Sequence, residues 1–330
     1  MRRTARWAGG LLAALLLLLA VLVLSIAVGA KPLTPGQVWH GLLDHDSTDY
    51  AVVHRMRLPR TLLGLLVGCG LGLSGAVMQA LTRNPLADPG LLGINAGASA
   101  AVVTASSLFG IATVGGYVWF ALAGAAVVSV AVYAVGGGRA ATPARLALAG
   151  SALNATLYSY VSAVMLLDTR TLDRMRFWTV GSLADAQPAT VLTVLPFIGA
   201  GLLLALALAG PLNALALGDD KARALGTRPG LVRAGAVAAV TLLCGAATAA
   251  CGPIVFVGLM VPHLVRAVTG PDLRRLLPYC ALLAPVLLLG ADVLGRVVAR
   301  PGELLVGVVT AVLGGPFFLH LARRGKVARA

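Results

Sequence analysis

The chain has 330 residues, of which 58% are hydrophobic and 12% are charged, and its mean hydropathy is +0.90. A soluble domain of this length does not need so much apolar surface, so the composition excludes a water-soluble globular protein. The formal net charge is +14. The chain shows no basic stripe interleaved with aromatic residues, and nucleic acid is therefore not an expected partner.

The apolar residues fall in blocks close to the length that crosses a bilayer. These blocks predict an all-α polytopic membrane protein of about ten transmembrane helices, with residues 1–330 forming a single transmembrane domain. The predicted spans are 7–30, 61–81, 90–109, 113–135, 145–167, 188–210, 231–251, 254–268, 276–297 and 304–321. The eighth span is short and interrupted by proline, so nine spans is the competing count.

The first span follows Arg2, Arg3 and Arg6 and could be mistaken for a signal peptide. Its uncharged stretch, from Trp7 to Ala30, is long for a signal peptide and suits a spanning helix, so we expect it to be retained. With this end in the cytoplasm, most of the 26 basic residues fall on cytoplasmic segments, as the positive-inside rule requires. Both termini are therefore predicted to be cytoplasmic.

Two polar segments are predicted on the outer side of the membrane. The longer, 31–60, carries a cluster of acidic residues around His45 that could bind a metal. A solvated loop is the simpler interpretation, and we expect no metal site and no cofactor. The cluster consists of Asp44, His45, Asp46 and Asp49. The shorter segment, 168–187, predicts a helix on the membrane surface with Trp178 as an interface anchor.

The inner segment 212–227 is too polar to span the membrane. Its leucines could cover one side of two short helices hinged at Gly218, with Gly226 ending the second. These leucines are Leu212, Leu215, Leu217 and Leu225. On the residues alone, such a pair is either an inert loop or a docking element.

Two Gly/Pro-rich breaks occupy matching places in the two halves of the chain. Asn84–Gly93 follows the second span and Gly252–Leu259 follows the seventh, each after an Ala/Gly-rich helix. The predicted topology puts the two breaks on opposite faces of the membrane. Interrupted helices at matching places are typical of transporters built from inverted repeats.

Several polar side chains within or near the spans are candidates for lining a substrate path, because such groups are costly in lipid without a partner. They are Gln79, Asn95, Ser151, Asn154 and Ser162. Hydrogen bonding between helices explains each of them as well. The lone His263, near the inner end of the eighth span, is more simply a packing residue than a metal ligand.

A series of motifs follows in order over roughly residues 50–325. They are Arg57-Leu-Pro-Arg60, Ser74-Gly75 with Gln79, Asn84-Pro-Leu-Ala-Asp-Pro89, Gly93-Ile-Asn-Ala-Gly97, Phe177-Trp-Thr-Val-Gly-Ser-Leu183, Leu217-Gly218 with Ala224-Leu-Gly226, Gly252-Pro-Ile-Val-Phe-Val-Gly-Leu-Met-Val-Pro-His263 with Arg266, and Gly290-Ala-Asp292 with Arg296, Glu303 and Gly314-Gly-Pro-Phe-Phe318. In this order the motifs resemble the FecCD-type permeases, the membrane subunits of ATP-binding-cassette (ABC) importers for ferric siderophores, haem and cobalamin.

The resemblance implies the fold and partners of a type II ABC importer in a bacterial cytoplasmic membrane. The expected partners are a second permease copy (identical or paralogous), a cytosolic ABC ATPase dimer and a periplasmic or lipid-anchored solute-binding protein. Arg57, Arg60 and Arg296 match family positions that meet acidic residues of the binding protein. Asp292 lies four residues before Arg296, so a local ion pair is the alternative.

The resemblance also implies that segment 212–227 couples the permease to the ATPase. The residues assigned to that contact are Leu217, Gly218, Arg223, Leu225 and Gly226. The chain contains no GxxxxGK[ST] phosphate-binding loop, so we expect it not to hydrolyse ATP itself and not to be an enzyme.

A ferric siderophore is the expected cargo, because Gly93–Gly97 and Phe177–Leu183 look more like siderophore permeases than haem or cobalamin permeases. An ion-coupled secondary transporter is the alternative from a different class, but such a protein would bury carboxylates near the midplane. Asp292 is the only acidic residue well inside a predicted span, and it lies near an outer end. A membrane-embedded enzyme is disfavoured because no HExxH, GxSxG or paired-acid motif occurs.

Overall fold

The computed structural model describes residues 2–29, 33–44, 47, 49–111, 113–138 and 141–323, and these contain α-helices without any β-strand. The helices are α1 (Arg2–Ala27), α2 (Pro35–Leu43), α3 (Leu58–Thr82), α4 (Ile94–Phe109), α5 (Val114–Val135), α6 (Pro143–Leu167), α7 (Thr169–Met175), α8 (Pro188–Ala216), α9 (Asp219–Ala224), α10 (Pro229–Cys251), α11 (Val257–Thr269), α12 (Leu273–Val298) and α13 (Val306–Arg323). A π-helical turn, Val52–Arg57, leads directly into α3.

Each of the ten predicted spans contains one of these helices, and the predicted all-α polytopic fold is confirmed. Within the described ranges, six helices are long and apolar enough to cross a membrane, namely α1, α3, α5, α8, α10 and α12. Helices α4, α11 and α13 are apolar but shorter, and α6 is long enough but less apolar. The eighth predicted span corresponds to α11, which has 13 residues and is too short to cross a bilayer alone, so the count of ten spans stays a prediction.

The helices run between two ends of a bundle. We call the end that carries Arg60 and Arg296 the arginine end, and the opposite end, where α9 lies, the α9 end. Arg296, near the end of α12, donates to backbone carbonyls at the end of α1, which fixes both helices at the arginine end. At the α9 end, Asn213 of α8 donates to Asp272, the residue before α12. Helix α1 begins and α13 ends at the α9 end.

Helix α3 is the buried centre of the bundle and packs against α8, α10, α11 and α12. Its glycines allow the close approach. A Cβ atom added at Gly75 would overlap the backbone carbonyl of Gly258 in α11, and one added at Gly68 would overlap the backbone of Pro285 in α12. Small residues at helix contacts are the usual means of packing helices tightly within a bilayer.

Two of the helices begin halfway through the bundle, at the predicted breaks. The start of α11 lies against the middle of α3, where Gly258 meets Leu71 and Gly75. The turn before α4 lies against the middle of α6, where Asn154 donates to the Gly90 carbonyl over 2.9 Å. Helix α4 runs toward the arginine end and α11 toward the α9 end. The two interrupted segments are therefore oppositely directed, as inverted repeats require.

The prediction of two short helices over 212–227 was wrong. Helix α8 continues to Ala216, so Leu212 and Leu215 belong to its buried last turns. The continuation is stabilised at Asn213, whose side chain bonds both the Asp272 carboxylate and the Leu273 backbone N–H. Only α9 is a separate short helix.

The interface-anchor role predicted for Trp178 was also wrong. Its side chain is 6% exposed and packs edge-to-face on Tyr117, with ring centroids 5.9 Å apart. The neighbouring Phe177 is the exposed aromatic residue, and the Arg176 guanidinium lies over its ring. The order of two adjacent aromatic residues in the sequence does not tell which of them faces the core.

The surface helix predicted within 168–187 is α7, and Asp168 caps its first turn. The Asp168 carboxylate accepts from the Thr171 hydroxyl over 2.6 Å and from the backbone N–H groups of Arg170 and Thr171. These hydrogen bonds, that of the Thr171 hydroxyl foremost, hold the pKa of Asp168 below its usual range. In segment 31–60, also predicted to lie on the outer side, His45 and Asp46 of the predicted polar cluster lie outside the described residues.

Candidate functional site

A buried ion-pair cluster lies at the arginine end, where α3 meets α12. Asp292 is fully buried and accepts from Arg60 Nη2 at 2.7 Å and from Arg60 Nε at 3.1 Å. Arg296 Nη2 lies 3.0 Å from the same carboxylate. Arg60 also donates from Nη1 to Glu303, 2.7 Å away in the segment before α13. One carboxylate thus pairs with two arginines, and a second, more exposed carboxylate forms a further ion pair with Arg60.

The same cluster closes the end of α1. Arg296 Nη1 donates to the carbonyls of Ser25 and Val28 at 3.0 and 2.9 Å. Arg57 Nη1 donates to the carbonyls of the last two residues of α1, both at 2.7 Å. The last carbonyls of a helix have no partner within it and carry partial negative charge, so arginines stabilise them. The cluster consequently fastens α1, α3, α12 and the start of α13 to one another.

The three arginines predicted to dock a binding protein are therefore buried in the chain on its own. Arg57 is 5% exposed, Arg60 is 9% exposed and Arg296 is 2% exposed. For Arg296 the structure shows the local pair with Asp292 that the sequence left as the alternative. All three line a cavity of about 240 Å³ together with Glu303, whose side chain is 31% exposed. Their docking role stays a prediction.

A groove of about 670 Å³ runs along the side of the bundle between α6 and α13. Tyr158 and Val161 of α6 form one wall, and Val308 and Val312 of α13 form the other. Polar groups enter it from Tyr158 and from residues of α4 and the Trp178–Val180 turn, namely Ser99 and Thr179. The sequence analysis missed these residues. The available signal was the pair of tyrosines, Tyr158 and Tyr160, on a span that is otherwise rich in small and hydroxyl side chains.

The five predicted path residues do not come together at one place. Gln79 and Asn95 are buried, and each bonds another helix: Gln79 donates to the Leu259 carbonyl at 3.2 Å, and Asn95 accepts from the Thr248 hydroxyl at 2.8 Å. Ser151 and Ser162 are exposed on α6, and Asn154 is half-buried on the same helix. Gln79 and Asn95 therefore form hydrogen bonds between helices, which was the alternative to lining a substrate path. The residues of α6 remain path candidates.

At the α9 end, a compact polar connection presents two exposed leucines. Asp219 begins α9 and accepts from Arg233 at 2.8 Å and, more weakly, from Arg83 at 3.4 Å. Leu217 and Leu225 flank α9 and are 58% and 65% exposed. The predicted hinge and stop residues have backbone conformations that favour glycine, with φ of 105° at Gly218 and 79° at Gly226. Arg223 is exposed and pairs with Asp220 at 3.0 Å.

Oppositely directed half-helices within one bundle are typical of transporters built from inverted repeats. The FecCD transport family matches residues 16–324, and the chain belongs to that family.

Two curated relatives and one solved structure show the extent of the similarity. The ferric enterobactin transport system permease protein FepD of Escherichia coli is 48% identical over 314 residues, covering 94% of this chain and 93% of FepD. The hemin transport system permease protein HmuU of Yersinia pestis is 39% identical over 325 residues, covering 96% of each chain. A metal-chelate type ABC transporter solved in an inward-facing conformation matches with a TM-score of 0.84 and 28% identity, covering 96% of this chain and 99% of that one. The fold is accordingly that of a type II ABC importer permease.

We predict that Asp292→Asn destabilises the fold by about 3–5 kcal/mol, because it leaves the buried Arg296 without a counter-charge and Arg60 with Glu303 alone. The matched control is Asp173→Asn, which removes the exposed i,i+3 pair with Arg176 and is expected to cost less than about 1 kcal/mol. Thermal unfolding of the purified chain in detergent measures both variants. Equal midpoints for the two variants would show that the cluster contributes no more than a surface ion pair.

Proposed function

We propose that this chain is the permease subunit of an ATP-driven ABC importer that carries a ferric siderophore across the bacterial cytoplasmic membrane. The observation that carries the proposal is the full-length similarity to FepD, a ferric enterobactin permease, over a fold with two oppositely directed interrupted helices. HmuU, a hemin permease, is less similar at 39% identity, so haem is the second candidate cargo. The partners of the chain are a cytosolic ATPase dimer, a solute-binding protein and a second permease copy.

The α9 end is the cytoplasmic end in this proposal. The basic residues of the α8–α10 connection and of the first turn of α12, Arg274 and Arg275, lie there, which agrees with the positive-inside rule. Helix α1 begins and helix α13 ends at the α9 end, so both termini are cytoplasmic in this proposal. The arginine end then faces the binding protein.

Reconstitution into liposomes tests the transport function. We expect the permease, assembled with its ATPase and binding protein, to accumulate ferric enterobactin only when ATP is present with the ATPase. A hydrolysis-deficient ATPase is the control and should abolish accumulation. Uptake driven by an ion gradient without ATP would show a secondary transporter instead, and accumulation of haem without any of ferric enterobactin would transfer the assignment to the second cargo.

The exposed connection around α9 is the proposed binding site of the ATPase. Leu217 and Leu225 are large apolar side chains exposed to water at an end that otherwise carries charges, and a partner surface that buries them gains hydrophobic free energy. The ion pairs of Asp219 with Arg233 and Arg83 tie this connection to α3 and α10. A displacement of α9 by the ATPase is thereby transmitted to α3, the central helix. Gly218, Arg223 and Gly226 complete the proposed contact with the ATPase.

We predict that the double variant Leu217→Ser, Leu225→Ser weakens ATPase binding by roughly tenfold or more, since each buried leucine contributes about 1.5–3 kcal/mol. Stability of the free permease should change little, because both side chains are already exposed. The matched control is Leu172→Ser, an exposed leucine of α7 at the opposite end. ATPase affinity, measured by binding to the purified permease, decides the matter. An unchanged affinity in the double variant would remove the connection from the coupling contact.

The arginine end offers one route by which a binding protein can reach Arg60 without breaking the buried pair. Asp292 holds Arg60 from within, while Glu303 holds it from the exposed side. A carboxylate of the binding protein can replace Glu303 on the same Arg60 atom and leave the fold intact. Arg57 and Arg296 line the same cavity and raise its positive potential. Docking in this proposal is an exchange of carboxylates at Arg60.

We predict that Glu303→Gln raises the affinity of the binding protein roughly threefold or more, because it removes the internal competitor for Arg60. The control is Asp185→Asn, an exposed acid at the same end that lies outside this cavity. It reports the general effect of removing one negative charge. Affinities of the purified importer for its binding protein compare the two variants. A weaker affinity in Glu303→Gln, or a gain no larger than that of Asp185→Asn, would contradict the exchange.

A second permease copy is proposed to cover the groove between α6 and α13. The groove carries Tyr158, Ser99 and Thr179 on an otherwise apolar side of the bundle, and Ser151 and Ser162 extend the polar character along α6. Polar groups that face lipid are costly. Facing the same groups of a second copy, they would border a central path for a polar chelate.

A further inference from the structure

A second cavity, of about 280 Å³, lies at the α9 end beneath the exposed connection. It is enclosed by the last turns of α3 and α8, the last turn of α11 and the start of α12. Its lining residues are Gln79, Ala80, Arg83, Asn213, Ala216 and Arg266, with prolines and leucines between them. Its volume suits a small polar group rather than a folded segment of a partner protein.

The cavity contains one arginine without a partner. Arg266, near the end of α11, makes no hydrogen bond or ion pair with any described residue and is half-buried. Arg83 donates only from Nη2, to the Leu215 carbonyl and to Asp219, so its other N–H groups are available. The two nearby acids are already engaged, since Asp219 pairs with Arg233 and Asp272 caps α12 and accepts from Asn213. The cavity therefore has an uncompensated positive charge.

The side chain of Gln79, which also lines this cavity, carries a buried hydrogen-bond acceptor. Gln79 is 2% exposed, its Nε2 donates to the Leu259 carbonyl, and its Oε1 accepts from no group in the described part of the chain. A buried amide oxygen without a donor costs free energy, so a ligand that supplies one is stabilised there. The cavity thus combines guanidinium groups for an anion with an acceptor for a hydroxyl.

We propose that this cavity binds the headgroup of an anionic phospholipid that carries both a phosphate and hydroxyl groups, as phosphatidylglycerol does. Arg266 and Arg83 pair with the phosphate, for which the arginine fork is suited, and Gln79 Oε1 accepts from a headgroup hydroxyl. The site lies at the ends of spanning helices, where lipid headgroups are found, and basic pockets between such helices are known to take them.

The experiment titrates phosphatidylglycerol, phosphatidylcholine with the same acyl chains, and inorganic phosphate into the full-length chain in detergent. A ligand that binds only the folded state raises the thermal unfolding midpoint. We expect phosphatidylglycerol alone to raise it. Arg266→Gln should weaken this binding about tenfold, as loss of a charged hydrogen bond predicts. Arg275→Gln is the matched control, an exposed arginine at the same end outside the cavity, and should bind within about twofold of the original chain.

A second variant separates loss of the site from loss of the fold. Ala216 lines the cavity but is exposed, so Ala216→Leu fills the mouth without disturbing the core or any charge, and it should weaken phosphatidylglycerol binding too. Equal stabilisation by phosphatidylcholine, or unchanged binding in both cavity variants, would overturn the proposal. Equal protection by inorganic phosphate would show a free-anion site instead of a lipid site. Unchanged lipid binding with weakened ATPase association would assign the cavity to the ATPase contact.

Discussion

The structure depends on one buried carboxylate. Asp292 pairs with Arg60 and Arg296; Arg296 in turn bonds carbonyls at the end of α1, and Arg60 pairs with Glu303 before α13. Removing a charge from water costs several kcal/mol, so such a cluster persists only when every member is paired. The cluster thereby fixes the relative positions of α1, α3, α12 and the segment before α13 at this end. The arginine end consequently carries its positive charge in a fixed place.

The two half-helices, α4 and α11, interrupt the bundle near its middle. The starts of α4 and α11 meet the middle of α6 and α3, and close contacts such as that of Gly75 with Gly258 leave no room for side chains there. In the turn before α4, the Asp88 carboxylate accepts from the Gly90 backbone N–H over 2.7 Å. A bundle interrupted in this way can change shape at the breaks while α3 and the cluster stay intact.

The sequence predicted the spans and the breaks because bilayer length and Gly/Pro chemistry are local signals. It could not predict which side of a short segment is buried. Trp178 and Phe177 are neighbours in the chain, yet only contact with Tyr117 decides that the tryptophan lies inside. Similarly, Pro211 and a polar stretch indicated a break after residue 210, but the bonds of Asn213 to Asp272 and Leu273 extend α8 to Ala216. Residues 60 positions apart along the chain determine that helix end.

The arginines illustrate the same limit for function. Arg57, Arg60 and Arg296 were recognisable as a set, and the spacing of Asp292 and Arg296 indicated their local pairing. The contribution of Glu303 was not recognisable, because 243 positions separate it from Arg60. The Glu303 carboxylate determines whether Arg60 is free to bind another acidic group. With Glu303 in place, Arg60 is already fully paired, so under the proposed exchange a binding protein would gain only the difference between its own carboxylate and the internal one. A contact of that kind favours rapid exchange over tight binding.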